Sequence, residues 1–211
     1  MPYSYEYPRP AVTVDSLIFN IEPLTGLEVL LIERAKAPFK DNWAIPGGFV
    51  DMDEDLIIAA KRELEEETGM HLEMLEEVGA FAKPDRDPRG RVISIAFWGI
   101  ADKASHQLKA ADDAKNYCWK DISTLPKLAF DHAAIIESAL KAFRAKLLDQ
   151  NFLKTHFIDT NSREDLLLVC KQIFTNSNAL NAFDYIERIF NNTSAPGAKK
   201  LDPDMLHIFL K

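Results

Sequence analysis

The sequence predicts an α/β fold, and three stretches carry that reading. Ala11–Phe19 (AVTVDSLIF) is rich in β-branched residues and reads as a strand. Asp53–Thr68 is built of strong helix formers and stops at Gly69, a residue suited to a helix C-terminus. Val92–Ala101 is a near-continuous apolar run of strand length.

The remaining elements follow in order. A turn near Pro23–Gly26 leads into a second strand, Glu28–Ile32, and Ala35–Asp41 is a polar loop. Trp43-Ala44-Ile45-Pro46-Gly47-Gly48 is a bend, because proline removes a donor and the glycines allow unusual backbone angles. Met74–Lys83 reads as a strand, Pro84–Arg91 (PDRDPRGR) as a charged loop, and His106–Lys115 as a further loop. Asn116–Lys120 is a short strand, and Asp131–Leu148 a long helix with Asp131 as its N-cap. A boundary is expected near Asp149–Lys154, dividing the chain into units 1–149 and 150–211. The second unit reads as mainly helical: helices at Arg163–Phe174 and Leu180–Phe190, a loop at Thr193–Lys200 and a short apolar end at Met205–Leu210.

Composition excludes several classes. With 211 residues, 47% hydrophobic and 27% charged, the chain is not mainly disordered. Its net charge of −8 makes it a poor general binder of nucleic-acid backbone, so an anionic substrate needs a bridging cation or a local group of arginines. From Gln150 onward seven Lys/Arg balance seven Asp/Glu, so the excess acid belongs to the first unit. Cys118 and Cys170 lie far apart and form neither a metal-ligand pair nor a disulfide framework. No apolar run reaches the roughly 18–20 residues of a membrane span, and the N-terminus lacks the pattern of a secretion signal. A cytoplasmic protein with no membrane partner is expected.

Chemistry concentrates at Arg62-Glu63-Leu64-Glu65-Glu66-Glu67-Thr68-Gly69. At about 100° per helical residue, Glu63, Glu66 and Glu67 share one arc while Glu65 points away. Like charges at these spacings destabilise a helix. A hard divalent cation held by the carboxylates would offset the repulsion; a solvated acidic face would simply tolerate it. Arg62, four residues before Glu66, is placed to hold a carboxylate.

Gly48–Met70 (GFVDMDEDLIIAAKRELEEETGM) resembles the Nudix box throughout. Gly48, Glu54, Arg62, Glu63, Leu64, Glu66, Glu67, Gly69 and Met70 occupy all nine fixed positions of the 23-residue pattern. The resemblance implies a Nudix α/β/α sandwich with a mixed sheet. It also implies hydrolysis of a nucleoside diphosphate linked to another group. Glu63, Glu66 and Glu67 would bind Mg²⁺ or Mn²⁺ with the carbonyl of Gly47, and Glu54 and Arg62 would support them. The metal would clamp the diphosphate and lower the pKa of an attacking water.

Substrate choice lies in the loops. Pro84 falls fifteen residues after Gly69, an offset similar to that of ADP-ribose pyrophosphatases. The stretch Pro84–Ser94 also resembles the loop of that subgroup and of related ADP-ribose-sensing regulators. Arg86, Arg89 and Arg91 would contact phosphates or pair with Asp85 and Asp87. Arg34 would face the substrate phosphates or sit in a surface ion pair, and Phe39 would stack on adenine or belong to the core. Trp43 is expected to pack behind the glycine bend. Asp112 or Asp113 would supply a general base or form a turn, and Glu66 and Glu67 are the other candidates. Asp131 is read as a helix cap and His132 as packing in the first turn.

ADP-ribose is therefore the expected substrate, yielding AMP and ribose 5-phosphate, and a homodimer is implied by the resemblance. The resemblance also implies that 150–211 forms a small, mainly helical, winged-helix-like domain; the alternative function is an ADP-ribose-sensing transcription regulator that binds DNA through it. Leu180–Phe190 would then be the recognition helix, but it offers only Arg188 against Asp184 and Glu187, and the box is intact. Nucleic-acid binding is accordingly disfavoured.

Overall fold

The computed structural model of the chain describes residues 5–22, 25–106, 108, 114–157, 163–174, 176–191 and 208–209. Strands β1 (Ala11–Glu22) and β2 (Gly26–Arg34) pair antiparallel only at Phe19–Glu22 with Gly26–Val29. They then part, and a short strand lines each side of the fork. β3 (Trp43–Ala44) pairs with β2 at Ile32–Glu33, and β4 (Gly47–Phe49) pairs with β1 at Thr13–Asp15.

A 13-residue helix, α1 (Leu56–Thr68), follows β4. β5 (Glu76–Phe81) pairs antiparallel with β6 (Val92–Ile100), and β7 (Ala114–Asp121) antiparallel with β2. β6 runs parallel to β1 from Ala11–Val92 to Phe19–Ile100, so the sheet is mixed, as expected.

Both faces of the sheet are covered, which is why β1 lacks the usual alternation of apolar and polar residues. Val14 and Ile18 point to the α1 side, joining Ala59, Ala60 and Leu64 in two buried clusters. Leu17 and Phe19 point to the other side, against helix α2 (His132–Lys146). The rings of Phe19 and Phe143 lie 5.4 Å apart edge to face, and those of Trp98 and Phe143 5.8 Å.

Gln150–Phe157, read from the sequence as the far side of a boundary, is a helix, α3. Asp149 starts it by accepting the Asn151 N–H at 2.8 Å, and Leu153 and Phe157 are buried. Helices α4 (Arg163–Ile173) and α5 (Asn176–Asn191) complete the described C-terminal part. They join the same apolar cluster as β1 and β2. Gln172 fastens α4 to the sheet: its Oε1 accepts the Leu27 N–H at 2.6 Å, and its Nε2 donates to the Thr25 carbonyl at 2.9 Å. The expected loop at Thr193–Lys200 and most of Met205–Leu210 lie outside the described residues. Among the described residues no helix is long and apolar enough to cross a membrane.

Candidate active site

The site lies in the fork between β1 and β2, where α1 delivers its carboxylates. Asp55 starts α1 by accepting the Leu56 N–H at 2.7 Å, and Gly69 ends it at φ 70°, donating its N–H to the Glu65 carbonyl. Ser16 Oγ donates to the Ala60 carbonyl at 2.8 Å, which sets the rotation of the helix against β1. With Ala59, Ala60 and Leu64 facing inward, Glu63, Glu66 and Glu67 line the fork. Glu65 is exposed and points toward His71, as the helical spacing requires.

Arg62 organises this face. Its Nε and Nη2 donate to Glu54 at 3.0 and 2.6 Å, its Nη1 to Glu63 at 2.8 Å and Glu66 at 3.1 Å, and Nη2 also to the Phe49 carbonyl at 3.1 Å. Arg62 and the Asp51 N–H hold the Glu54 carboxyl below its usual pKa. Burial raises that of Glu63, with Arg62 opposing. Glu67 is 8% exposed and accepts the Gly47 N–H at 2.8 Å. One guanidinium thus joins Glu54, Glu63, Glu66 and the backbone at Phe49.

The two glycines are needed for space. A Cβ on Gly47 would stand 2.1 Å from the Val14 carbonyl, and one on Gly48 would stand 2.4 Å from the Glu63 carboxyl.

The floor holds residues that sequence reasoning missed or assigned otherwise. Asp15 of β1 is buried yet lines the cavity; it accepts Ser94 Oγ at 2.5 Å. A lone acid inside an apolar strand was the available signal. His132 is buried as expected, but its Nδ1 accepts the Ile45 N–H at 2.9 Å, leaving Nε2 toward Asp15 at 3.5 Å. Burial lowers the His132 pKa, so the ring is neutral at pH 7 and serves as a fixed acceptor for the bend.

Asp131 corrects the sequence reading. It sits at the N-cap of α2, but its side chain makes no cap bond. Both oxygens are taken by buried Arg86, at 3.1 and 2.7 Å, because that charge has no water. Arg86 therefore pairs with neither Asp85 nor Asp87.

Arg34 and Arg89 line the same cavity, and Arg91 does not. Arg34 lines the cavity, donates Nε to the Pro38 carbonyl at 2.9 Å and lies 4.9 Å from the Phe130 ring centre. Arg89 also lines it and is bridged to Asp87. Arg91 donates to the Ala82 carbonyl and is exposed. Phe39 is 38% exposed against Phe130, so it is not core. Trp43 packs against the core as expected. Pro84, expected among the substrate residues, is exposed in the turn before Arg86 and does not line the cavity. Asp112 and Asp113 lie outside the described residues.

Together these side chains enclose about 450 Å³, a volume suited to a nucleotide-sized ligand. Six carboxylates and five cationic side chains line it, so it has no strong excess of either sign. Among the described residues no three acidic, His or Cys side chains already converge as a metal cage. Arg62 draws Glu63 and Glu66 to itself, and Gly47 holds Glu67. The donors nevertheless suit Mg²⁺ or Mn²⁺: the facing groups are hard carboxylate oxygens on one helix, beside the backbone of Gly47.

Comparison with known proteins agrees with this geometry. The chain is 45% identical to an ADP-ribose pyrophosphatase of Methanocaldococcus jannaschii over 135 residues, covering 64% of this chain and 76% of that protein. It is 34% identical to an ADPR responsive transcriptional repressor, NtrR, of Acinetobacter baylyi over 145 residues, 67% of this chain but only 57% of the repressor. A solved structure of a MutT/nudix family protein from Enterococcus faecalis superposes with a TM-score of 0.75 at 26% identity, covering 94% of this chain and 86% of that one. Residues 9–140 match the NUDIX domain from β1 into α2; with the carboxylate helix and glycine bend in place, the chain belongs to the NUDIX family.

Proposed function

We propose that this Nudix hydrolase cleaves ADP-ribose to AMP and ribose 5-phosphate. The observation that carries the reading is the 45% identity to an ADP-ribose pyrophosphatase. The carboxylates and arginines that line one cavity support it.

Glu63, Glu66, Glu67 and the Gly47 carbonyl would hold Mg²⁺ or Mn²⁺. When bound, the cation supplies charge neutralisation at the diphosphate and acidifies a water. Arg62 and Glu54 keep the carboxylates in register with the bend. Arg34 and Lys36 face the cavity and would meet the phosphate oxygens as charge develops there. His132 keeps Ile45, and with it the Pro46-Gly47-Gly48 bend, in place. Glu66, Glu67 and Asp112 are the carboxylates offered to take the water's proton. We further propose a cytoplasmic homodimer, to be checked by light scattering of the purified chain and by localisation.

The test is a substrate panel with Mg²⁺ and Mn²⁺: ADP-ribose against NADH, nucleotide sugars and oxidised nucleoside triphosphates, reading AMP release and ¹⁸O incorporation from labelled water. Preferred turnover of ADP-ribose is expected. Equal turnover of all would overturn the substrate assignment and leave the hydrolase class standing.

Similarity to the repressor supports a second reading, an ADP-ribose-responsive DNA binder. Exposed Asp184 and Arg188 on α5 nearly cancel, which weakens that reading. Retention of specific DNA at moderate salt, released by ADP-ribose, would establish it.

A further inference from the structure

Arg89 lines the cavity, yet its surroundings do not suit a phosphate ligand. Its Nε reaches both oxygens of Asp87, at 3.0 and 3.2 Å, its Nη2 reaches Oδ2 at 2.6 Å, and its backbone N–H reaches Oδ1 at 2.9 Å. Asp87 is only 4% exposed, whereas the Arg89 side chain that it holds stays 43% exposed at the cavity. An incoming phosphate would have to compete with a carboxylate that has no water to return to.

Two aromatic rings stand beside the Arg89 guanidinium. The guanidinium carbon lies 5.1 Å from the centre of the Phe49 ring and 5.7 Å from that of Phe130. Phe49 is 45% exposed although it directly follows the glycine bend. Phe130 stands at φ 51° and touches Phe39, itself at φ 60°, with ring centres 4.8 Å apart. Bulky side chains rarely adopt that backbone region, so the surrounding structure holds these rings in position. An exposed ring, a plane of guanidinium and a second fixed ring thus line the same cavity as the carboxylates of α1.

We infer that Phe49, Arg89 and Phe130 form the nucleobase subsite, and that Arg89 serves it as a stacking plane rather than as a phosphate-binding charge. The inference rests on the reading of the chain as a nucleoside diphosphate hydrolase. Every base has a π face, and stacking on aromatic and guanidinium planes is a general means of holding one.

The test uses the full chain with Mg²⁺ and two non-hydrolysable probes, α,β-methylene-ADP and base-free methylenediphosphonate, titrated by calorimetry. Arg89→Lys keeps the charge opposite Asp87 and removes the plane; Phe49→Leu removes an exposed ring that the fold does not need. Phe49→Leu should melt near the wild type, and Arg89→Lys, which loses the guanidinium fork on Asp87, should melt lower but stay folded at the titration temperature. Each should weaken α,β-methylene-ADP about tenfold and leave methylenediphosphonate within about twofold. Unchanged affinity for the nucleotide, or equal weakening of both probes by Arg89→Lys, would overturn the subsite alone. Failure of both probes to bind the wild type would overturn the nucleoside diphosphate reading and the subsite with it.

Discussion

Gly47 donates its backbone N–H to Oε2 of Glu67 at 2.8 Å, so the bend after β3 is tied to the last turn of α1, twenty residues on. Exchange of Glu67 for Gln keeps an oxygen for that hydrogen bond and removes the charge. Glu67→Gln should therefore melt within a few degrees of the wild type while ADP-ribose hydrolysis falls by more than about 100-fold. Parallel melting curves and initial rates across Mg²⁺ concentrations check this; a near-normal rate would remove Glu67 from the machinery.

The two glycines of the bend should fail in different ways. A Cβ at Gly47 meets the Val14 carbonyl, which is backbone of the central strand and cannot yield. Gly47→Ala is expected to destabilise the fold by about 1–3 kcal/mol. At Gly48 the clash is with the end of the Glu63 side chain, which can swing aside. Gly48→Ala should keep most of its stability and lose activity because Glu63 is displaced. Urea midpoints set beside rates separate the two outcomes.

Arg86 has a 4% exposed side chain and binds Asp131 with two hydrogen bonds, with Asp15 a further 3.7 Å contact. Arg86→Met removes the cation and leaves two carboxylates facing each other across a buried floor. A loss of about 3–5 kcal/mol in unfolding free energy is expected. Asp131→Asn should cost less, since Arg86 retains Asp15. The opposite ranking in denaturant titrations would contradict this account.

His132 predicts a pH dependence of stability. Burial lowers its pKa; Asp15 and Asp131 act to raise it, while Arg86 and Arg34 reinforce the lowering. In the unfolded chain the ring takes up a proton below about pH 6.5. Over the window from there down to the folded value, only the unfolded state binds that proton, so stability falls as pH falls. Stability should therefore be lower at pH 5.5 than at pH 7. His132→Asn offers Oδ1 to the Ile45 N–H but does not titrate, so its stability should change less over the same interval. Chemical denaturation at the two pH values is the measurement, and equal slopes would show that another group is responsible.

Much of this molecule is legible in the chain because its signals are local. Strands β1, β2 and β6 announce themselves by continuous β-branched and aromatic runs, and α1 by its spacing and its Gly69 stop. Helix α3 was not legible: its polar start at Gln150 and Asn151 resembles a linker, and only the burial of Leu153 and Phe157 against distant aromatics makes it a helix of the core. The substrate role of Pro84 rests on the resemblance of its offset and its loop, and its exposed ring does not line the cavity.

By itself the sequence determined the carboxylate arc of Glu63, Glu66 and Glu67, since residues within two turns of a helix have fixed relative directions. Spacing likewise set Arg62 within reach of Glu66, one turn on. Tertiary structure alone decided which charges cancel: Arg86 with Asp131 across 45 residues, Arg89 with Asp87, and His132 with the Ile45 N–H across 87. Those choices depend on which groups lose their water together, and desolvation is a property of the packed chain that no local stretch of it carries.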